Sequence, residues 1–89
     1  MDDQKPEEYH LSVSVRNPEE LLYKGEAASI TTYNEKGLFD VLPIHENFIS
    51  IIKDKVIVRG KAGVREFPVV KGVIKVEENM VDIFLGEDK

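Results

Sequence analysis

The sequence contains no cysteine. This excludes a disulfide framework and a thiolate metal site, and it fits a reducing compartment. Long hydrophobic runs are missing too: nothing approaches the ~18 apolar residues that span a bilayer. The opening Met-Asp-Asp-Gln-Lys-Pro-Glu-Glu lacks the apolar centre of a secretory signal. A cytoplasmic protein without direct membrane insertion is therefore expected. Positive charge is in short supply: 12 Lys and Arg stand against 17 Asp and Glu, for a net charge of −5. No basic stripe offsets phosphate repulsion, so nucleic acid is not an expected partner.

The groups that carry chemistry are equally sparse. His10 and His45 lie far apart, neither with a partner at metal-ligand spacing. Ser12, Ser14, Ser29 and Ser50 fall in strand patterns with no nucleophile elbow. Gly60-Lys61-Ala62-Gly63 is the nearest approach to a phosphate cradle, but strand patterns flank it, and a cradle needs a helix N-terminus behind it. Glu19-Glu20 and Glu77-Glu78 sit at turns and are expected to face solvent. No catalytic, cofactor or metal site is expected, and any function has to reside in a surface.

What is present is a β protein. Eighty-nine residues make one domain, which buries only about 60–65% of its chain's surface. With 42% apolar and 33% charged residues the composition is that of a soluble globular chain. Acidic residues gather at both ends, so residues 1–8 and 87–89 read as solvated tails around a domain at 9–86. From Tyr9 to Val15 apolar and polar residues alternate, the period of a half-buried strand. Asn17-Pro18 ends that run as a turn. Glu19 to Tyr23 suggests an extended piece, and Ala27 to Tyr33 a strand rich in β-branched residues.

Asn47 to Lys53 has apolar residues at helical spacing but is too short for a stable helix, and it reads as extended. Lys55 to Arg59 and Val64 to Val70 flank the Gly60–Gly63 loop as a hairpin. Pro68 argues for an edge or a bulge in the second of these, because proline cannot donate to a ladder. Gly72 reads as a break. Val73 to Glu77 and Met80 to Leu85 form a last hairpin around Glu78-Asn79. Seven to nine short strands with frequent turn signals and no convincing helix predict an all-β, antiparallel sandwich or small barrel.

One stretch organises the rest: Gly37-Leu38-Phe39-Asp40-Val41-Leu42-Pro43-Ile44-His45. Asn34-Glu35-Lys36-Gly37 leads into it as a turn, with Gly37 placed for the left-handed position after a type I turn. A dense apolar run follows, and Pro43 stops it.

Together with Leu22-Tyr23-Lys24-Gly25-Glu26 and Gly72-Val73-Ile74-Lys75-Val76-Glu77-Glu78-Asn79-Met80-Val81, this stretch resembles the β-sandwich domain of the epsilon subunit of rotary ATP synthases, called delta in mitochondria. Order and spacing agree over residues 9–86. The resemblance implies a sandwich of about ten strands, so the expected fold is an all-β, antiparallel β-sandwich of roughly eight to ten short strands. It implies a non-catalytic rotor subunit on the central stalk of a proton- or sodium-translocating ATP synthase, peripheral on the inner face of the membrane. The implied partners are the gamma subunit and the membrane ring, with the catalytic head reached indirectly. Gly37, Leu38, Pro43, Ile44 and His45 are then the candidate partner-interface residues, with Leu38 at the tip nearest the ring.

This sequence departs from the family pattern in three places. Lys71-Gly72 stands for a glycine pair, and Ile44 stands where a glycine often precedes the histidine. Many bacterial members continue into a C-terminal helical hairpin, whereas this sequence stops three residues after Gly86, so no hairpin is expected. Two readings of Leu38 stay open, an exposed contact and a core residue. A coupling subunit predicts an exposed apolar patch on one sandwich face. The alternative, a free-standing peptide- or sugar-binding module, predicts exposed aromatics clustered at a loop end.

Overall fold

A computed structural model describes residues 10–86; the expected tails at 1–8 and 87–89, and Tyr9, lie outside them. Seven strands follow one another: β1 Leu11–Arg16, β2 Leu21–Ala27, β3 Ser29–Asn34, β4 Gly37–Val41, β5 Phe48–Gly60, β6 Gly63–Glu77 and β7 Met80–Leu85. No helix occurs among the described residues. The ladder runs β2-β1-β7-β6-β5-β3-β4.

The predicted sandwich is present, but it is built from fewer and longer strands. The segments read as separate pieces, 47–53 with 55–59 and 64–70 with 73–77, are the continuous strands β5 and β6. These two form one long hairpin that bends partway along. The ladder slips between Ile52 and Asp54, and Asp54 takes a positive φ of 71° at the slip. Below the bend, residues 48–52 pair with 72–76; above it, residues 54–60 pair with 63–69. The lower arms join β7, β1 and β2 in one layer. The upper arms join β3 and β4 in the other. A kinked strand that switches layers is the usual way a bulge turns a sheet corner.

Gly72 does not break the chain; it permits the bend. A Cβ at this buried position would stand 2.8 Å from the Phe84 carbonyl oxygen and 3.4 Å from Ile52 Cγ1, so only glycine lets β7 close on the corner. At the slip between β3 and β5, the fully buried Thr32 donates its hydroxyl to the Lys55 carbonyl at 2.8 Å.

Period-two alternation puts Leu11, Val13, Val15, Ile74, Val76, Val81 and Ile83 on the inner face of the first layer. Ile30, Val41, Val56, Val58, Phe67 and Val69 come from the second, and all belong to one core. Aromatic pairs close the two open sides. Tyr23 of β2 meets Phe67 of β6 edge to face at 6.3 Å, and Phe39 of β4 meets Phe48 of β5 at 5.8 Å. Pro68 sits on the β6 arm that pairs only with β5, the edge position proline requires.

One pairing departs from the antiparallel expectation: β1 runs parallel to β7. The two are the first and last strands among the described residues, and no hairpin dictates their relative direction. The turns follow their residues. Gly37 and Gly63 have φ of 118° and 128° behind two-residue loops, whereas Glu78 and Asn79 are both left-handed, at 53° and 64°, as a type I′ turn demands.

Gly72→Ala forces a methyl against the Phe84 carbonyl and should lose about 1–3 kcal/mol of stability. Urea unfolding should show a lower midpoint with unchanged slope. An unchanged midpoint would mean that the corner is not held by this close approach.

Candidate functional site

β4 enters the core with Val41, fully buried, and the chain then leaves the sheet. Pro43 cannot extend the ladder, so residues 42–47 form a loop across one end of the sandwich. Two asparagines fix that loop to the β6–β7 turn. The Ile44 N–H donates to Asn79 Oδ1 at 2.7 Å, and the Glu78 N–H donates to Asn47 Oδ1 at 3.0 Å. The Asn79 carbonyl also accepts from the Ser12 N–H at 2.9 Å, so one residue ties the loop, the turn and β1 together.

Ile44 is held at φ 65°, the backbone that glycine favours, at the position where the resembled family often has glycine. A β-branched side chain there costs roughly 1–2 kcal/mol. The hydrogen bond to Asn79 offsets part of this. The strain serves to display: Ile44 is 67% exposed and Leu42 53%. These two and Pro43 form one wall of a concavity of about 910 Å³, completed by the β2–β3 corner at Ala27–Ala28 and the β5–β6 tip at Lys61–Ala62.

The five candidate interface residues do not form one site. Gly37 and Leu38 lie at the β3–β4 tip, at the other end of β4 from Pro43 and Ile44. Leu38 faces outward, paired with Tyr33, and is 59% exposed, so of its two readings the core one is excluded. Pro43 and Ile44 line the concavity. His45 turns away from it, with its ring 5.1 Å from that of Phe48 and its Nδ1 3.0 Å from the Glu46 carbonyl. Neighbours in sequence are thus divided among an end, a side and a tip.

A further surface escaped the strand-by-strand reading. On the outer face of the first layer, Ile51 of β5 pairs with Val73 of β6, and Val73 with Phe84 of β7. All three are exposed, and Ile49 lies beside them. Lys75 and Asp82 flank this apolar row, the latter accepting from the Ser14 hydroxyl at 2.9 Å. The signal was available: Phe48-Ile49, Ile51-Ile52, Val73-Ile74 and Ile83-Phe84 are consecutive apolar pairs, and in a strand such a pair must place one member on each face. The row is the exposed apolar patch that a coupling subunit predicts. The aromatic cluster that a peptide- or sugar-binding module predicts is not found at a loop end among the described residues, where Phe84, on a strand, is the one exposed aromatic.

Comparison with known proteins agrees with the resemblance. Residues 10–87 match the family described as the ATP synthase delta/epsilon chain β-sandwich domain. The ATP synthase epsilon chain of Leptospira borgpetersenii is 34% identical over 76 residues, covering 84% of this chain and 60% of that one. The epsilon chain of Nitratiruptor is 35% identical over 71 residues, covering 78% and 55%. This chain therefore spans somewhat more than half the length of these relatives. A chain in the mitochondrial ATP synthase of Euglena gracilis superposes with a TM-score of 0.79 at 21% identity, covering 86% of this chain and 51% of that one. One in the central stalk and c-ring of the Tetrahymena thermophila enzyme does so with 0.76 at 14% identity, covering 86% and 63%. At those identities the structures speak to fold.

The asparagine tie predicts a graded pair of variants. Asn79→Gly keeps the left-handed backbone and loses only the bond to Ile44, for a cost of about 1 kcal/mol or less. Asn79→Ala loses the bond and adds left-handed strain, for about 2 kcal/mol. Equal costs in chemical denaturation would show that the side-chain bond, not the backbone, sets the turn.

Proposed function

The chain belongs to the ATP synthase delta/epsilon β-sandwich family, and we propose that it is a non-catalytic rotor subunit that couples the gamma subunit to the membrane ring. The observation that carries this reading is the exposed row Ile51–Val73–Phe84 with Ile49 beside it. A subunit that transmits torque has to hold its neighbour over an area, because a single contact would act as a pivot. Three side chains in register on adjacent strands offer a flat apolar surface, and each is worth roughly 1.5–3 kcal/mol when fully covered. The sheet beneath is stiff, since the same strands present Ile52, Ile74 and Ile83 to the core. We assign this face to the gamma subunit.

The β3–β4 tip, with Leu38 exposed and Gly37 shaping the turn, is assigned to the membrane ring. Face and tip are separate surfaces, as a coupling element between two partners requires. Pro43 and Ile44 line the concavity and are not needed for either contact, whereas His45 shares a surface depression with Ile49 at the edge of the face. The subunit then works peripherally, on the inner face of the membrane, in a proton- or sodium-translocating complex. It contributes rigidity and two adhesive surfaces, with the catalysis done by other subunits.

Co-expression with the gamma subunit of the same organism, followed by gel filtration at micromolar concentrations, tests the assignment. The wild-type chain should co-elute with gamma. Ile51→Asp and Phe84→Asp should each separate the two while changing the isolated domain's stability by less than about 1 kcal/mol, since both residues are exposed. Leu38→Asp should leave the gamma complex intact and weaken assembly with the ring. Separate peaks for the wild type, or co-elution undisturbed by both face variants, would refute the proposed contact.

A further inference from the structure

The concavity at the end of the sandwich is used by neither proposed contact, and its lining is amphipathic. Small residues make its floor: Gly25, Ala27 and Ala28 at the β2–β3 corner and Ala62 at the β5–β6 tip. The loop Leu42-Pro43-Ile44 is the apolar wall. Lys24 and Lys61 stand at the margin across from it, opposed by the single carboxylate of Glu26. The tip that carries Lys61 lies directly against β2, since a Cβ on Gly60 would stand 2.9 Å from the Glu26 carbonyl oxygen. The two lysines therefore share one side of the opening. Among the described residues the ion pair formed is Lys75–Glu77, on another face, so neither lysine is paired there. The result is a local excess of positive charge in a chain whose net charge is −5.

Two further observations point to a ligand. The volume, about 910 Å³, falls in the range of roughly 300–1,000 Å³ typical of small-molecule sites, which are mostly apolar with a few polar groups that fix orientation. Ile44 is held at φ 65°, and backbone strain of this kind clusters where the displayed group has a use. Glycine would relieve the strain and would also remove the apolar wall. The charge decides the class of molecule. A slot with an apolar wall on one side and two cations on the other complements a body that is apolar along its length and anionic at one end.

We propose that the concavity binds a single-chain anionic amphiphile, a long-chain carboxylate in class, with its alkyl chain along Leu42, Pro43 and Ile44 and its carboxylate facing Lys24 and Lys61. The small floor leaves room for a linear chain and not for a branched one. The source is a free molecule in solution and not a lipid in a bilayer. This choice rests on the assignment of the β3–β4 tip to the ring, because the concavity lies at the other end of β4 and then faces away from the membrane.

Dodecanoate, kept below its micelle concentration and titrated into the full chain, is the probe. Amide shifts of Ala28, Leu42, Ile44 and Ala62 should move together and saturate at one equivalent, while those of Gly72 and Leu85 stay. Decanoate should bind about fifteenfold more weakly, at roughly 0.8 kcal/mol per buried methylene. The Lys24→Gln/Lys61→Gln double variant, with both positions on the surface, should weaken dodecanoate about fivefold, the size of two exposed charge contacts. Ile44→Gly should weaken it without lowering the thermal midpoint, since glycine accepts the left-handed backbone. Several outcomes would overturn the proposal: no saturable shift, shifts centred on Ile51, Val73 and Phe84, undiminished binding by Ile44→Gly, or equal binding of dodecyltrimethylammonium. Binding to anionic phospholipid vesicles without binding of monomeric dodecanoate would do so too, because the site would then read a bilayer. The titration needs neither gamma nor the ring, so its failure leaves the co-elution result untouched, and separate peaks in co-elution leave the titration to stand by itself.

Discussion

The structure depends on one constraint: a single hairpin has to serve two layers. β5 and β6 are each long enough to cross the molecule, and their bend at Ile52–Asp54, opposite Gly72, turns one ladder into the interior strands of both sheets. If the hairpin ran straight, β7, β1 and β2 would extend the same sheet as β3 and β4. The apolar inner faces would then meet water instead of each other. The left-handed Asp54, the hydroxyl of Thr32 on the Lys55 carbonyl and the missing side chain at Gly72 are the local means by which the bend is accommodated. The aromatic pairs Tyr23–Phe67 and Phe39–Phe48 then close the sides where no ladder can form.

Local chemistry made much of this readable in advance. The alternation from Leu11 to Val15, the Asn17-Pro18 turn, the glycines at the β3–β4 and β5–β6 turns and the Met80–Leu85 strand all follow from rules that act within a few residues. Asn17 Oδ1, for example, accepts from the N–H groups of both Glu19 and Glu20 at 2.8 Å. The continuity of β5 and β6 was not readable, because Lys53-Asp54-Lys55 and Gly72 have the local signature of a loop. Only their pairing with each other, across some twenty residues of chain, makes them strand. The parallel partnership of β1 with β7 is further still from any local rule.

The candidate site was legible as a list of residues and not as a place. Leu38, Pro43, Ile44 and His45 fall within eight consecutive positions, yet a strand of five residues carries the chain from one end of a layer to the other between Leu38 and Pro43. Ile44 then reverses the backbone, so that its side chain and that of His45 part company. The outer-face row is the opposite case. Its members are scattered in sequence and meet only because the registers of β5, β6 and β7 bring Ile51, Val73 and Phe84 into line. That row exists because the lower arms of the hairpin lie inside the first layer. The surface proposed for the gamma subunit is therefore a consequence of the same bend that makes the sandwich.

The central claim is that the bent hairpin makes the two layers one cooperative unit. Native-state hydrogen exchange in rising denaturant tests it most directly, because amides that open only with global unfolding converge on one free energy. The account predicts that Val13 and Val81 in one layer and Ile30 and Val58 in the other exchange with the same opening free energy, and that Gly72→Ala lowers all four equally. Distinct free energies for the two layers, or a loss in Gly72→Ala confined to one of them, would contradict it.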